Sequence, residues 1–146
     1  MKNLKKIHLF IIIAFSFTIS NAQNKELESL IPKIDNTDAF IVMTKTTSPR
    51  TKGEVTKQII EIGKSATCEL VQVLEDKNKG IVAHFLLSEI WKETWEEEPC
   101  CSINDNGTYE MVTINGLEVK IEGNVLTATS EHLLTNKLAW KAYCPA

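Results

Sequence analysis

Four cysteines, Cys68, Cys100, Cys101 and Cys144, are the residues of this chain best equipped for covalent chemistry. Thiolates attack electrophiles, and in an oxidising compartment the same reactivity joins them in pairs. Four cysteines allow three pairings. A bond between the adjacent Cys100 and Cys101 would strain the local backbone, so the expectation is that one of the two joins Cys144. Cys68 then takes the remaining partner or stays buried as a small apolar side chain. Structural zinc needs spaced ligands that wrap the ion. The chain has no Cys-x-x-Cys and no His-x-x-x-His, so no metal and no cofactor is expected.

General-base chemistry has few carriers. After the first 22 residues only His84 and His132 remain, and there is no Gly-x-Ser-x-Gly of the kind that presents a nucleophilic serine. A hydrolase would have to use His132 with Cys100, Cys101 or a glutamate. His84 is expected on a helix surface. The run Glu96-Glu97-Glu98 follows a helical segment, and negative charge is unfavourable at a helix C-terminus. The helix should therefore fray around Trp95 and leave the acids solvated, without the fixed carboxylate separation a glycosidase needs.

The same segment is the candidate contact surface. Trp91 and Trp95 are spaced one helical turn apart and lead directly into Glu96, Glu97 and Glu98. Aromatic anchors beside charge are common at interfaces. The alternative is that both tryptophans belong to the core, covered by the C-terminal helix with Trp140. Asn106-Gly107-Thr108 forms a glycosylation sequon that, in a bacterial host, is simply a turn.

Compartment follows from the N-terminus. Lys2, Lys5 and Lys6 precede an apolar stretch from Leu9 to Ile19, which ends in Ser20-Asn21-Ala22. Positive start, short apolar middle and small-residue exit make a cleavable signal, and the run is too short and interrupted to span a bilayer. Residues 1–22 are read as a signal peptide and 23–146 as one small domain, periplasmic or secreted, with no membrane anchor after cleavage. The remaining chain has thirteen basic residues against nineteen acidic ones, a net charge of −6. That disfavours nucleic acid, whose binding depends on basic clusters, and permits a basic partner.

The elements that must position these residues read as helices first and strands later. Leu27, Leu30, Ile31 and Ile34 have the spacing of a short amphipathic helix that closes near Pro32. Ala39–Met43 leans towards a strand, and Thr44–Gly53 reads as a loop. Val55, Ile59 and Ile62 line a helix closed by Gly63. Ser65 can cap a second helix bearing Ala66, Leu70, Val71 and Leu74. A third carries Ile81, Val82, Phe85, Leu86, Ile90 and Trp91, with only His84, Ser88 and Lys92 as a polar stripe, and should be central. Tyr109–Ile114 and Leu117–Glu122 flank Asn115-Gly116, a strong hairpin signal. That hairpin should bury Val112, Ile114, Leu117, Val119 and Ile121. Gly123-Asn124 turns into a third strand, Val125–Ala128, with Leu126 beside Ile121. A final helix, about 130–143, presents Leu134 and Leu138.

The stretch from Val55 to Trp91 resembles a HEAT repeat. Residues 60–66, Ile-Glu-Ile-Gly-Lys-Ser-Ala, are similar to the join between successive units. Leu70, Leu74 and Asp76 match the leucines and the turn acid, and Ile81-Val82-Ala83 and Leu87-Ser88-Glu89-Ile90 match the second helix. The chain departs from the family at Ile81-Val82, where Val-Arg is usual, and at His84 and Phe85, where small residues are usual. No second full unit follows, whereas stacked solenoids need about three, so the resemblance implies a helical hairpin and a binding scaffold.

These readings give an α+β fold: a helical layer with a HEAT-like antiparallel helix hairpin, packed on a small antiparallel β-meander and closed by a C-terminal helix. The expected function is a non-catalytic exported module that binds a protein or peptide, of inhibitor or immunity type. The rival is the small exported hydrolase built on His132.

Overall fold

The computed structural model describes residues 25–95, 102–103 and 109–144. The expected signal peptide, Glu96, Glu97, Glu98, Cys100, Cys101 and the sequon lie outside the described residues. The fold is α+β. Helix α1 covers residues 25–30, β1 is Ala39–Met43, β2 is Thr47–Thr51, α2 is Glu54–Ile62, α3 is Thr67–Gln72 and α4 is Gly80–Ile90. Then come β3 (Ser102–Ile103), β4 (Tyr109–Ile114), β5 (Leu117–Glu122), β6 (Val125–Thr127) and α5 (Ser130–Trp140). β1 and β2 form an antiparallel pair, and β3-β4-β5-β6 form an antiparallel meander.

Helix α4 is the centre of the molecule. Every residue from Gly80 to Ser88 is buried, as expected of a helix that is apolar over most of its circumference. It packs against α2, α3, α5 and the β1–β2 pair. Its N-terminus is capped from a distance. Asn36 Oδ1 accepts from the backbone N–H groups of Ile81 and Val82 at 3.0 and 3.1 Å, while Asn36 Nδ2 donates to the Lys77 carbonyl at 2.7 Å. Two of the donors orphaned at the start of a helix are thus satisfied by the segment before β1. Gly80 lets the elements close up: a Cβ there would stand 2.3 Å from the Leu74 carbonyl oxygen and 2.9 Å from Leu133 Cδ2.

The hairpin forms in the expected register, with Ile114 opposite Leu117 and Val112 opposite Val119. Positive φ at both Asn115 (43°) and Gly116 (81°) makes the turn type I′, whose twist matches that of the strands. Val112, Ile114, Leu117 and Val119 are buried, Ile121 is half-buried opposite Leu126, and Met111 and Thr113 face outward. The buried face joins the core that α4 dominates.

Several expectations give way. Thr44–Gly53 contains a strand: Thr47 to Pro49 are buried, and Ile41 pairs with Pro49. Proline is kept out of central strands because it cannot donate to the ladder, but a two-stranded sheet has only edges. Ser65 does not cap α3. It lies in a 3-10 turn and donates to the Ile62 carbonyl, and the N-cap is Ala66. α5 buries Leu133, Asn136 and Trp140, leaving Leu134 and Leu138 45% and 58% exposed. The i, i+3, i+7 stripe that ends in the large Trp140 surface prevails over the leucine pair.

Candidate functional site

His84, expected on a helix surface, is fully buried. Trp140 Nε1 donates to its Nδ1 at 3.0 Å, and its Nε2 lies 2.7 Å from the Ile114 carbonyl oxygen. An indole N–H can only donate, so Nδ1 is the acceptor and Nε2 carries the proton given to Ile114. Both ring nitrogens are consumed. Burial pulls the imidazole from 6.5 down to about 4, against the opposing pull of the Ile114 carbonyl and Asn136. A neutral ring with no solvent access and no spare nitrogen is a core strut and not a base. Ser88, the next member of the polar stripe, is also buried, and its Oγ accepts from Asn115 Nδ2 at 3.4 Å. The stripe docks the β4–β5 hairpin.

His132 sits in the first turn of α5, with Nδ1 3.7 Å from Glu118 Oε1 on β5; both side chains are more than a third exposed. They border a shallow recess of about 200 Å3 with Met111, Lys120 and Thr129. The Thr129 hydroxyl accepts from the His132 backbone N–H as the helix cap. Cys100 and Cys101, the proposed thiol partners of His132, lie outside the described residues. Among the described residues no group of three or more His, Cys, Asp or Glu could hold a metal ion.

The two tryptophans do not share a helical face, because α4 stops at Ile90 and a 3-10 turn follows. Trp91 turns towards α3 and the C-terminus: its Nε1 donates to Thr67 Oγ1 at 3.0 Å, Tyr143 meets its ring edge-on at 4.8 Å, and Lys64 Nζ lies 4.4 Å from its ring centroid. Glu93 pairs with the same Lys64.

Trp95 turns the other way. Its backbone is extended, and Nε1 donates to the Ser88 carbonyl at 2.8 Å, which pins the half-buried ring against the end of α4. The ring forms one wall of a recess of about 350 Å3, with Pro49, Arg50, Ile60, Glu89 and Lys92 among its other described walls. Glu89 is the half-buried carboxyl of this recess. Burial raises its pKa, while a hydrogen bond from Thr51 Oγ1 (3.0 Å) and the charges of Arg50 and Lys92 oppose the rise. Arg50 folds back so that Nη1 donates to the Pro49 carbonyl at 2.9 Å.

No family model matches the chain, and no curated protein or solved structure matches it either. The site therefore rests on its own geometry: a pinned aromatic ring, apolar walls at Pro49 and Ile60, and a half-buried carboxyl whose pKa burial raises. Of these, only Trp95 was a sequence candidate. Pro49 and Arg50 sit in the segment read as a loop, and Glu89 is an ordinary helix residue until β2 closes over it.

Proposed function

We propose that the chain is a non-catalytic exported module that binds a protein or peptide through the recess beside Trp95. The observation that carries this reading is the Trp95 ring, held by the Ser88 carbonyl and left half-open on the recess that Glu89 also lines. Interfaces concentrate their energy in such aromatic anchors surrounded by a polar rim. The resemblance of residues 55–91 to a HEAT unit points the same way, since those units typically serve as binding scaffolds.

The charge pattern favours a basic partner. From Glu89 to Glu98 the chain carries five glutamates and one lysine, within a domain of net negative charge. A lysine or arginine of the partner would lay its apolar stem along Trp95 and Ile60, set its charge near the indole face, and reach Glu89. Its arrival would favour the ionised carboxylate that burial now disfavours. Export, read from the lysine-rich, apolar N-terminus, places the module in the periplasm or outside the cell.

Affinity capture from the native envelope fraction tests the reading. The mature chain should retain a basic protein or peptide that Trp95→Ala and Glu89→Gln both fail to hold, with melting temperatures close to the parent's. Equal capture by both variants, or loss of capture only through unfolding, would contradict it.

A further inference from the structure

Cys68 and Cys144 interact directly although α4, the meander and α5 lie between them in the chain. Cys68 is in the first turn of α3; Cys144 follows the 3-10 turn that ends α5. Both are half-buried free thiols, and Cys144 packs against the core. Trp91 fixes the two segments independently of the sulfurs. Its indole N–H holds Thr67, the residue before Cys68, and its ring meets Tyr143, the residue before Cys144. α3 and the C-terminal turn are in direct contact.

We propose that Cys68 and Cys144 are joined by a disulfide in the working protein, with a disulfide-bearing oxidant, either a protein oxidoreductase or a small-molecule disulfide, as electron acceptor. One thiol of the pair loses its proton to solvent and attacks one sulfur of the oxidant, forming a mixed disulfide and expelling one thiolate. The other thiol then loses its proton to solvent and attacks the protein sulfur of the mixed disulfide, expelling the second thiolate; the two expelled thiolates take up protons from solvent. Two electrons pass to the oxidant, which leaves as two thiols. Burial, together with the neighbouring Cys68, pushes the Cys144 thiol up to about 11.

The bond would close a loop containing α4, the meander and α5, and would tie the chain's last turn to the helical layer. Long closed loops lose the most freedom in the unfolded state, so the effect on stability is large. It also changes the expected pairing: Cys144 is taken by Cys68, and Cys100 and Cys101 are left as the other two thiols. Its presence in the working protein rests on the export reading, because a reducing cytosol would keep both thiols free.

Purified full-length mature chain should be treated with oxidised glutathione, digested without reduction and mapped by mass spectrometry. The expected product is a Cys68–Cys144 linked peptide, two hydrogens lighter than the separate thiols. A Cys100→Ser/Cys101→Ser variant, retaining only the proposed pair, should form the same intramolecular link, and its melting temperature should fall by about 10 °C or more on reduction. Linkage of Cys144 only to Cys100 or Cys101, or only intermolecular bonds in the double variant, overturns the proposal. Fully reduced thiols in natively produced protein overturn the disulfide in the working protein; if the Cys68–Cys144 link still forms in vitro, the pairing geometry stands and the export reading is what fails.

Discussion

Trp140 and His84 meet through a single hydrogen bond, indole N–H to imidazole Nδ1, at 3.0 Å inside the core. That bond fixes the imidazole tautomer, and the tautomer in turn lets Nε2–H hold the carbonyl of Ile114, the last residue of β4. A residue on α5 thus reaches a strand through a ring on α4, and three elements are locked by one side chain. The histidine that looked available for chemistry is fully occupied in holding the fold together.

Stability should depend on pH through His84. The folded ring has its pKa lowered from 6.5 to about 4, so between those values the unfolded chain binds a proton that the folded chain refuses. This contribution is complete above pH 6.5, falls as the pH drops towards 4, and is flat below. The expected loss is roughly 3 kcal/mol. Urea unfolding at pH 7 and pH 4.5 measures it, and His84→Gln should flatten that part of the profile.

Trp140→Phe keeps most of the ring's bulk but deletes the donor to Nδ1. It should cost about 1–3 kcal/mol, the penalty for stranding a buried acceptor. In a double-mutant cycle with His84→Gln the two losses should add to more than the combined loss, because both remove the same bond. Strict additivity in denaturant melts would show that the contact contributes nothing.

The start of α4 is vulnerable at two points. Asn36→Ala removes the remote cap and should cost about 1–2 kcal/mol. Gly80→Ala forces a methyl against the Leu74 carbonyl and Leu133 and should cost about 1–3 kcal/mol, as over-packing does. Both are read from thermal or denaturant midpoints; a neutral Gly80→Ala would mean that α4 and α5 are not in close contact there.

The orientation of α5 can be checked with two substitutions. Leu138→Lys, on the exposed side, should change stability by no more than about 0.5 kcal/mol. Leu133→Ala should cost about 2–5 kcal/mol, because Leu133 is 1% exposed. The reverse order would restore the Leu134–Leu138 face as the buried one.

Local signals were legible and distant ones were not. Asn115-Gly116 specified its turn because both residues tolerate positive φ, and period-two alternation then set the register. Gly63 marked the end of α2. The Thr47–Thr51 strand was hidden because its polar residues and Pro49 become strand-like only when β1 is alongside. His84 and Ser88 looked like a solvent-facing stripe; their partners, Ile114, Trp140 and Asn115, come from elements far along the chain. The cap from Asn36 is non-local in the same way. Trp95 was singled out by type and neighbours, but its recess depends on Arg50 and Glu89, which nothing in their immediate sequence sets apart.

The most direct test of binding beside Trp95 is site-specific photo-crosslinking in the cells that make the protein. One photo-reactive residue replaces Lys92 at the rim of the recess. Another replaces Lys77, beyond the opposite end of α4 and exposed. Binding at the recess predicts one dominant protein or peptide adduct from position 92, lost with Glu89→Gln or Trp95→Ala, and none from position 77. The same adducts from both positions, or none from position 92, would contradict it.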